Sequence, residues 1–228
     1  MSTTVLYALL AGLIPSLIWL AFWMREDHLH PESKSVIILT FCGGMLAVSL
    51  AVYGEKWIAS LFTDQNVRYT FLAVIEEAIK FITVLLLALM STENDEPIDA
   101  MIYCITVALG FAALENALFI LQPLFDGEIT RSIITGNMRF VGATLVHTVS
   151  SASIGFALGW AFYRSWFAKI TATIVGFCVA VAFHTAFNLS LLNAESNQIL
   201  QIFGWVWLAV VILIILFEEV KAVKPRTS

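Results

Sequence analysis

Two adjacent glutamates, Glu76 and Glu77, and Lys80 stand inside the otherwise apolar run FLAVIEEAIKFITVLLLALM, residues 71–90. Three later apolar runs carry Glu115 and Asn116 (GFAALENALFI), His147 (RFVGATLVHTVSSASIGFALG), and His184 and Asn188 (FHTAFNLS). Carboxylates, imidazoles and a carboxamide are the groups that activate water. A buried glutamate can take a proton from water when burial lifts its pKa towards neutrality. A histidine or asparagine can donate to the oxyanion that forms on an attacked carbonyl. The same set suits a zinc ion, which takes histidine nitrogen and glutamate oxygen and in catalytic sites keeps three protein ligands and a water. His147 and His184 with Glu76 or Glu115 meet that count, although no HExxH motif is present.

Helices must hold these groups at depth. The chain has 228 residues, 60% hydrophobic and 13% charged, with a mean hydropathy of +0.88; soluble domains carry about 25% charged residues. The expectation is an all-α, polytopic transmembrane helix bundle forming a single integral membrane domain over residues 1–228. Seven spans can be read, over 3–24, 35–53, 69–90, 98–122, 139–163, 169–192 and 199–217, since about 20 apolar residues cross the hydrocarbon. The first lacks a basic n-region and a small-residue cleavage site, so it reads as a retained span rather than a signal peptide. The stretch GEKWIASLFTDQNV after span two suits a short interfacial helix, with Trp57 at headgroup level. Pro97 suits the first turn of span four. A net charge of −5 offers nothing for nucleic acid. Cys42, Cys104 and Cys178 lie in separate apolar runs and form no disulfide framework. His28 and His30 read as loop residues.

Loop lysines and arginines set orientation. Lys56, Arg68, Arg131 and Arg139 fall on one side. Arg25, Lys34, Arg164, Lys169, Lys221, Lys224 and Arg226 fall on the other, which should be cytoplasmic, leaving the N-terminus outside.

A charge at mid-bilayer costs about 2.5–3.5 kcal/mol on insertion scales. Glu76, Glu77 and Lys80 lie roughly 10–18 Å into span three at 1.5 Å per residue, too deep for Lys80 to snorkel. Both glutamates can reach Lys80, at spacings of four and three. They point about 100° apart, so one can pair while the other faces a cavity. By contrast Glu218, Glu219 and Lys221 sit at a helix end, where water is at hand. Glu76 lies in the first half of its span, Glu115 in the second, His147 just before the middle and His184 past it. Antiparallel succession therefore puts all four at one level, towards the face that carries the N-terminus. Arg139 reads as an interfacial anchor, the serines after His147 as small-residue packing, and Gly110, Gly142, Gly155 and Gly159 as points of close helix approach. Asn188 suits interhelical hydrogen bonding as well as catalysis.

The four blocks EEAIK (76–80), GFAALENALF (110–119), HTVSSASIG (147–155) and HTAFN (184–188), in that order, resemble the PrsW family of intramembrane proteases, distant relatives of the CAAX-processing and bacteriocin-immunity membrane peptidases. The resemblance covers about half of the chain, with a protease-like core over 69–192. It implies peptide-bond hydrolysis in or beside a bacterial cell membrane, in the manner of a first cut in a membrane-bound anti-sigma factor, on the extracytoplasmic side. It implies Glu76 as the base that activates water, and His147 as the residue that orients that water or binds metal. His184 and Asn188 would face the oxyanion. Glu77 and Lys80 would form a supporting ion pair, and Glu115 would be an outlying acid or a metal ligand. A zinc ion is left open. The family often has tyrosine where this chain has Phe119. The expected partners are a membrane-anchored protein substrate and the lipid bilayer. Two other readings of buried Glu, His and Lys are a proton- or cation-coupled transporter and a non-catalytic membrane binding protein; against the first, no internal repeat or pair of broken helices is visible.

Overall fold

A computed structural model describes residues 3–26, 31–195 and 197–225. Among them every regular element is helical, as a chain in lipid requires, because a helix pairs its own backbone groups where no water can. The elements are α1 (Thr3–Glu26), α2 (Lys34–Leu61), α3 (Gln65–Val84) ending in a π turn (Leu85–Leu89), and α4 (Asp99–Phe125). There follow α5 (Ile129–Met138), a second π turn (Arg139–Ala143), α6 (Thr144–Trp160), α7 (Trp166–Leu192) and α8 (Ile199–Lys221). Six helical stretches are long and apolar enough to cross a membrane: α1, α2, α4, the run Ile129–Trp160, α7 and α8. The remaining span read from the sequence, α3 with its π turn, is not among these six; it carries Glu76, Glu77 and Lys80.

At the centre stands α4, buried on all sides over Asp99–Ala113 and packed against α1, α2 and α6. A helix apolar all round belongs inside such a bundle. Lipid tails give no hydrophobic drive for one helix to meet another, so close approach and packing must do it. Gly155 of α6 lies against the α4 backbone, where an added Cβ would meet Ala100 O at 2.6 Å and Met101 Cα at 2.7 Å. α3 and α7 pack on each other, α7 also on α6, and α8 leans on α6. The outward faces of α7 and α8 remain exposed through residues such as Ile174, Val175, Trp205 and Val211, as lipid contact demands.

The helices differ from the sequence reading at three places. α2 continues to Leu61 in place of a separate interfacial helix, since residues 54–61 contain no proline to stop it. The long connection predicted before span five is almost absent. α4 runs to Phe125 with Pro123 inside it, Gly127 turns the chain at φ 77°, and α5 starts at Ile129. Pro97 lies in the turn before α4, whose first residue, Asp99, accepts the N–H groups of Asp95 and Glu96 at 2.8 and 2.6 Å. His28, His30 and Arg226 lie outside the described residues.

Candidate active site

Asp64 caps α3 by accepting the N–H of Val67 at 2.9 Å, and the helix then carries Glu76, Glu77 and Lys80 inward, all buried. Glu77 is the glutamate that pairs. Its Oε1 meets Lys80 Nζ at 2.5 Å and His184 Nδ1 at 2.7 Å, while Ser151 Oγ donates to Oε2 at 3.0 Å. Three helices thus satisfy one carboxylate, as burial of a charge requires. Lys80 also donates to His147 Nδ1 at 3.1 Å and stands 5.2 Å from the centre of the Phe111 ring.

An ammonium can only donate, so Nδ1 of His147 accepts and its Nε2–H donates to Glu115 Oε2 at 2.9 Å. That same oxygen receives Arg139 Nη2. Arg139 Nε donates to Asn116 Oδ1 at 2.5 Å, Asn116 Nδ2 to Thr144 Oγ1 at 2.9 Å, and the guanidinium lies 4.0 Å from the Phe119 ring. Phe119 therefore supplies an aromatic face to a cation. The two imidazoles stand nearly perpendicular, their centres 4.9 Å apart.

Glu76 differs from all of these. Its Oε2 is buried without a hydrogen-bond partner. It faces His184 Nε2 at 3.7 Å and His147 Nδ1 at 4.0 Å. With Nδ1–H of His184 on Glu77, Nε2 of the neutral ring carries a lone pair. Acceptors thus look at one another across a gap, and a donor or a cation belongs between them.

The donor set is one that fits a zinc-class ion. One ligand atom from each of Glu76, His147 and His184 lies within 4.8 Å of the others. Ligand atoms of a tetrahedral zinc, with bonds of about 2.0–2.1 Å, stand about 3.3 Å apart, so a small inward movement would close the set. The outer nitrogen of each imidazole already rests on a carboxylate, the arrangement that orients metal-binding histidines. For an ion to bind, Lys80 must leave His147 Nδ1 and rest on Glu77 alone.

Glu76, Glu115, Arg139, His147 and His184 line a cavity of about 520 Å³. Its wall continues through Glu55, Arg68 and Tyr69 at the α2–α3 corner and through Asn188, Leu191 and Phe203 on α7 and α8. All these positions lie near the helix ends on the face that carries the N-terminus. Of the groups singled out from the sequence, Glu76, Glu77, Lys80, Glu115, His147 and His184 form one connected cluster. Asn188 lines the same cavity one turn beyond His184.

The sequence reading named Asn116 without giving it a role, and it did not place Arg139, Thr144 or Ser151 in the site. Arg139, read as an interfacial anchor, pairs with Glu115. The helix begins ten residues earlier than its apolar run, so Arg139 lies within it and turns onto Glu115. Ser151 is not merely small: four residues after His147, it shares that helix face and bonds Glu77. The spacing of four was the available signal.

Residues 32–217 match the family described as "PrsW family intramembrane metalloprotease". Among curated relatives, the chain is 27% identical over 152 residues to "Protease PrsW" of Geobacillus kaustophilus, covering 65% of this chain and 64% of that protein. It is 22% identical to "Protease PrsW" of Shouchella clausii, covering 80% of this chain and 82% of the relative. To "Protease PrsW" of Bacillus subtilis it is 23% identical, covering 83% and 84%. No solved structure matches the chain at a significant level.

Proposed function

Because the chain belongs to the PrsW family of intramembrane proteases, we propose that it is a membrane-embedded endopeptidase that hydrolyses a peptide bond of a membrane-anchored protein at the Glu76 cavity. One observation carries this reading: the buried Glu76 Oε2 has no partner and faces two imidazoles at 3.7 and 4.0 Å within an open cavity. A water in that gap donates to Glu76. Its oxygen attacks the scissile carbonyl carbon as Glu76 takes the proton, and Glu76 then returns a proton to the leaving amine. Asn188 supplies an N–H towards the oxyanion, and His184 adds a second when its Nε2 carries a proton. Glu77 holds His184 and Lys80 in place, and Glu115 holds His147.

The second reading has Glu76, His147 and His184 as ligands of zinc, and the convergence of their three ligand atoms favours it. When bound, the ion makes a water nucleophilic near neutral pH. Glu76 is then a ligand rather than the base.

On the loop charges the cavity faces the outside, which suits a first cut in the extracytoplasmic juxtamembrane part of a substrate such as a membrane-bound anti-sigma factor. The test is reconstitution with single-span substrates. Glu76→Gln and His184→Ala should insert normally and lose cleavage. Cleavage unchanged in both removes the reading, and ion flux that needs the same residues would favour a transporter. Metal analysis of the purified protein, with chelation, separates the two chemistries: a metal-free enzyme keeps its activity and a zinc enzyme loses it.

A further inference from the structure

We propose that Arg139 is a positioning residue of this site, and that the π turn Arg139–Ala143 is what brings it there. The inference rests on the peptidase reading and names a part that the reading does not contain.

Helix geometry supplies the first step. Successive residues of an α-helix step by about 100°, so residues eight apart, such as Arg139 and His147, would point about 80° apart. A π turn closes its bonds from i to i+5 and so holds one residue more. Across it, Arg139 and His147 stand as residues seven apart do, within about 20° of one face. Both then reach Glu115, a residue of α4.

Chemistry supplies the second step. The same Glu115 oxygen accepts from Arg139 Nη2 and from His147 Nε2. Arg139 Nε donates to Asn116 Oδ1 at 2.5 Å. Asn116 in turn donates to Thr144 Oγ1, which donates to Arg139 O at 3.0 Å, closing a ring between α4 and the π turn. Phe119 lies under the guanidinium. The carboxylate that accepts from His147 is thus itself held by a planar fork that also binds Asn116. Arg139 stands at one remove from the gap beside Glu76.

A lysine separates this role from anchoring at the membrane surface. Lysine snorkels as well as arginine, so an anchor tolerates Arg139→Lys. A single ammonium cannot serve Glu115 and Asn116 in the geometry of the fork. Steady-state cleavage by reconstituted Arg139→Lys and Arg139→Met, each with its thermal midpoint in detergent, is the experiment. We expect kcat to fall roughly 10- to 100-fold, the usual effect of losing a group that orients a histidine, with KM within about twofold. In a Glu115→Gln background Arg139→Lys should add less than about twofold, because its effect passes through that carboxylate.

Wild-type kcat in Arg139→Lys, independent multiplication of the two substitutions, or a rise in KM alone would overturn the proposal. Arg139→Lys preserves size and charge, so it tests the idea even where Arg139→Met fails to fold. Failure is distinguishable from failure of the peptidase reading. If Glu76→Gln abolishes cleavage while Arg139→Lys leaves it intact, only the role of Arg139 falls.

Discussion

Glu76 and Glu77 are neighbours of one chemical type with opposite situations, and the difference lies in their contacts. Glu77 accepts from a lysine, a histidine and a serine, so removing its charge leaves a buried ammonium without its closest anion. Breaking a buried ion pair from one side costs about 3–5 kcal/mol. Glu77→Gln should therefore lower the thermal midpoint in detergent markedly. Glu76→Gln, whose Oε2 has no hydrogen-bond partner, should leave the midpoint unchanged or raise it while activity is lost. Equal midpoints for the two variants would show that the assignment of ion pair and reactive carboxylate is wrong. Spacing alone left both glutamates able to reach Lys80. The choice was made by Ser151 and His184, which arrive from α6 and α7.

Helices bring the groups together, and two kinds of local irregularity decide how. Gly155 lets α6 sit on the α4 backbone near Ala100 and Met101. Gly155→Leu should separate these helices and, with them, Glu115 from His147. The expected result is loss of folded protein in detergent, read as early aggregation; a well-folded, active variant would refute the packing argument. The π turn is the second device. Inserting one alanine after Val141 would add a residue that the turn does not absorb and turn α5 by about 100° relative to α6, carrying Arg139 off Glu115. Its cleavage defect should match that of Arg139→Met, and full activity in the insertion variant would show the phase set by the turn to be incidental. Neither π turn was legible beforehand, because an extra residue in a helix leaves no mark in an apolar run. The start of α5 was equally hidden: ITRSIITGNM is too polar to read as membrane helix, yet it continues α6 outward as its amphipathic extension.

At the scale of the whole molecule, a central buried α4 holds Glu115 and Asn116, while α3, α6 and α7 each present one side of the cavity. Charged groups in lipid need either water or protein around them, and this bundle supplies protein partners for Glu77 and Lys80 and a cavity beside Glu76. Composition settled that the chain is a helical membrane bundle, because no soluble core could use so much apolar surface and so few charges. Run length and depth settled that Glu76, Glu115, His147 and His184 share a level, since antiparallel helices with fixed rise per residue leave little freedom along the membrane normal. Rotation about each helix axis was not so determined. An apolar helix meets lipid and protein with the same residues, so periodicity does not say which face turns inwards. Only the packed structure decided that Glu77 rather than Glu76 is paired, that Ser151 and Arg139 belong to the cluster, and that a buried oxygen of Glu76 is left facing two imidazoles. Those facts depend on contacts between residues 23 to 108 positions apart, which form only when close packing selects one rotation for every helix.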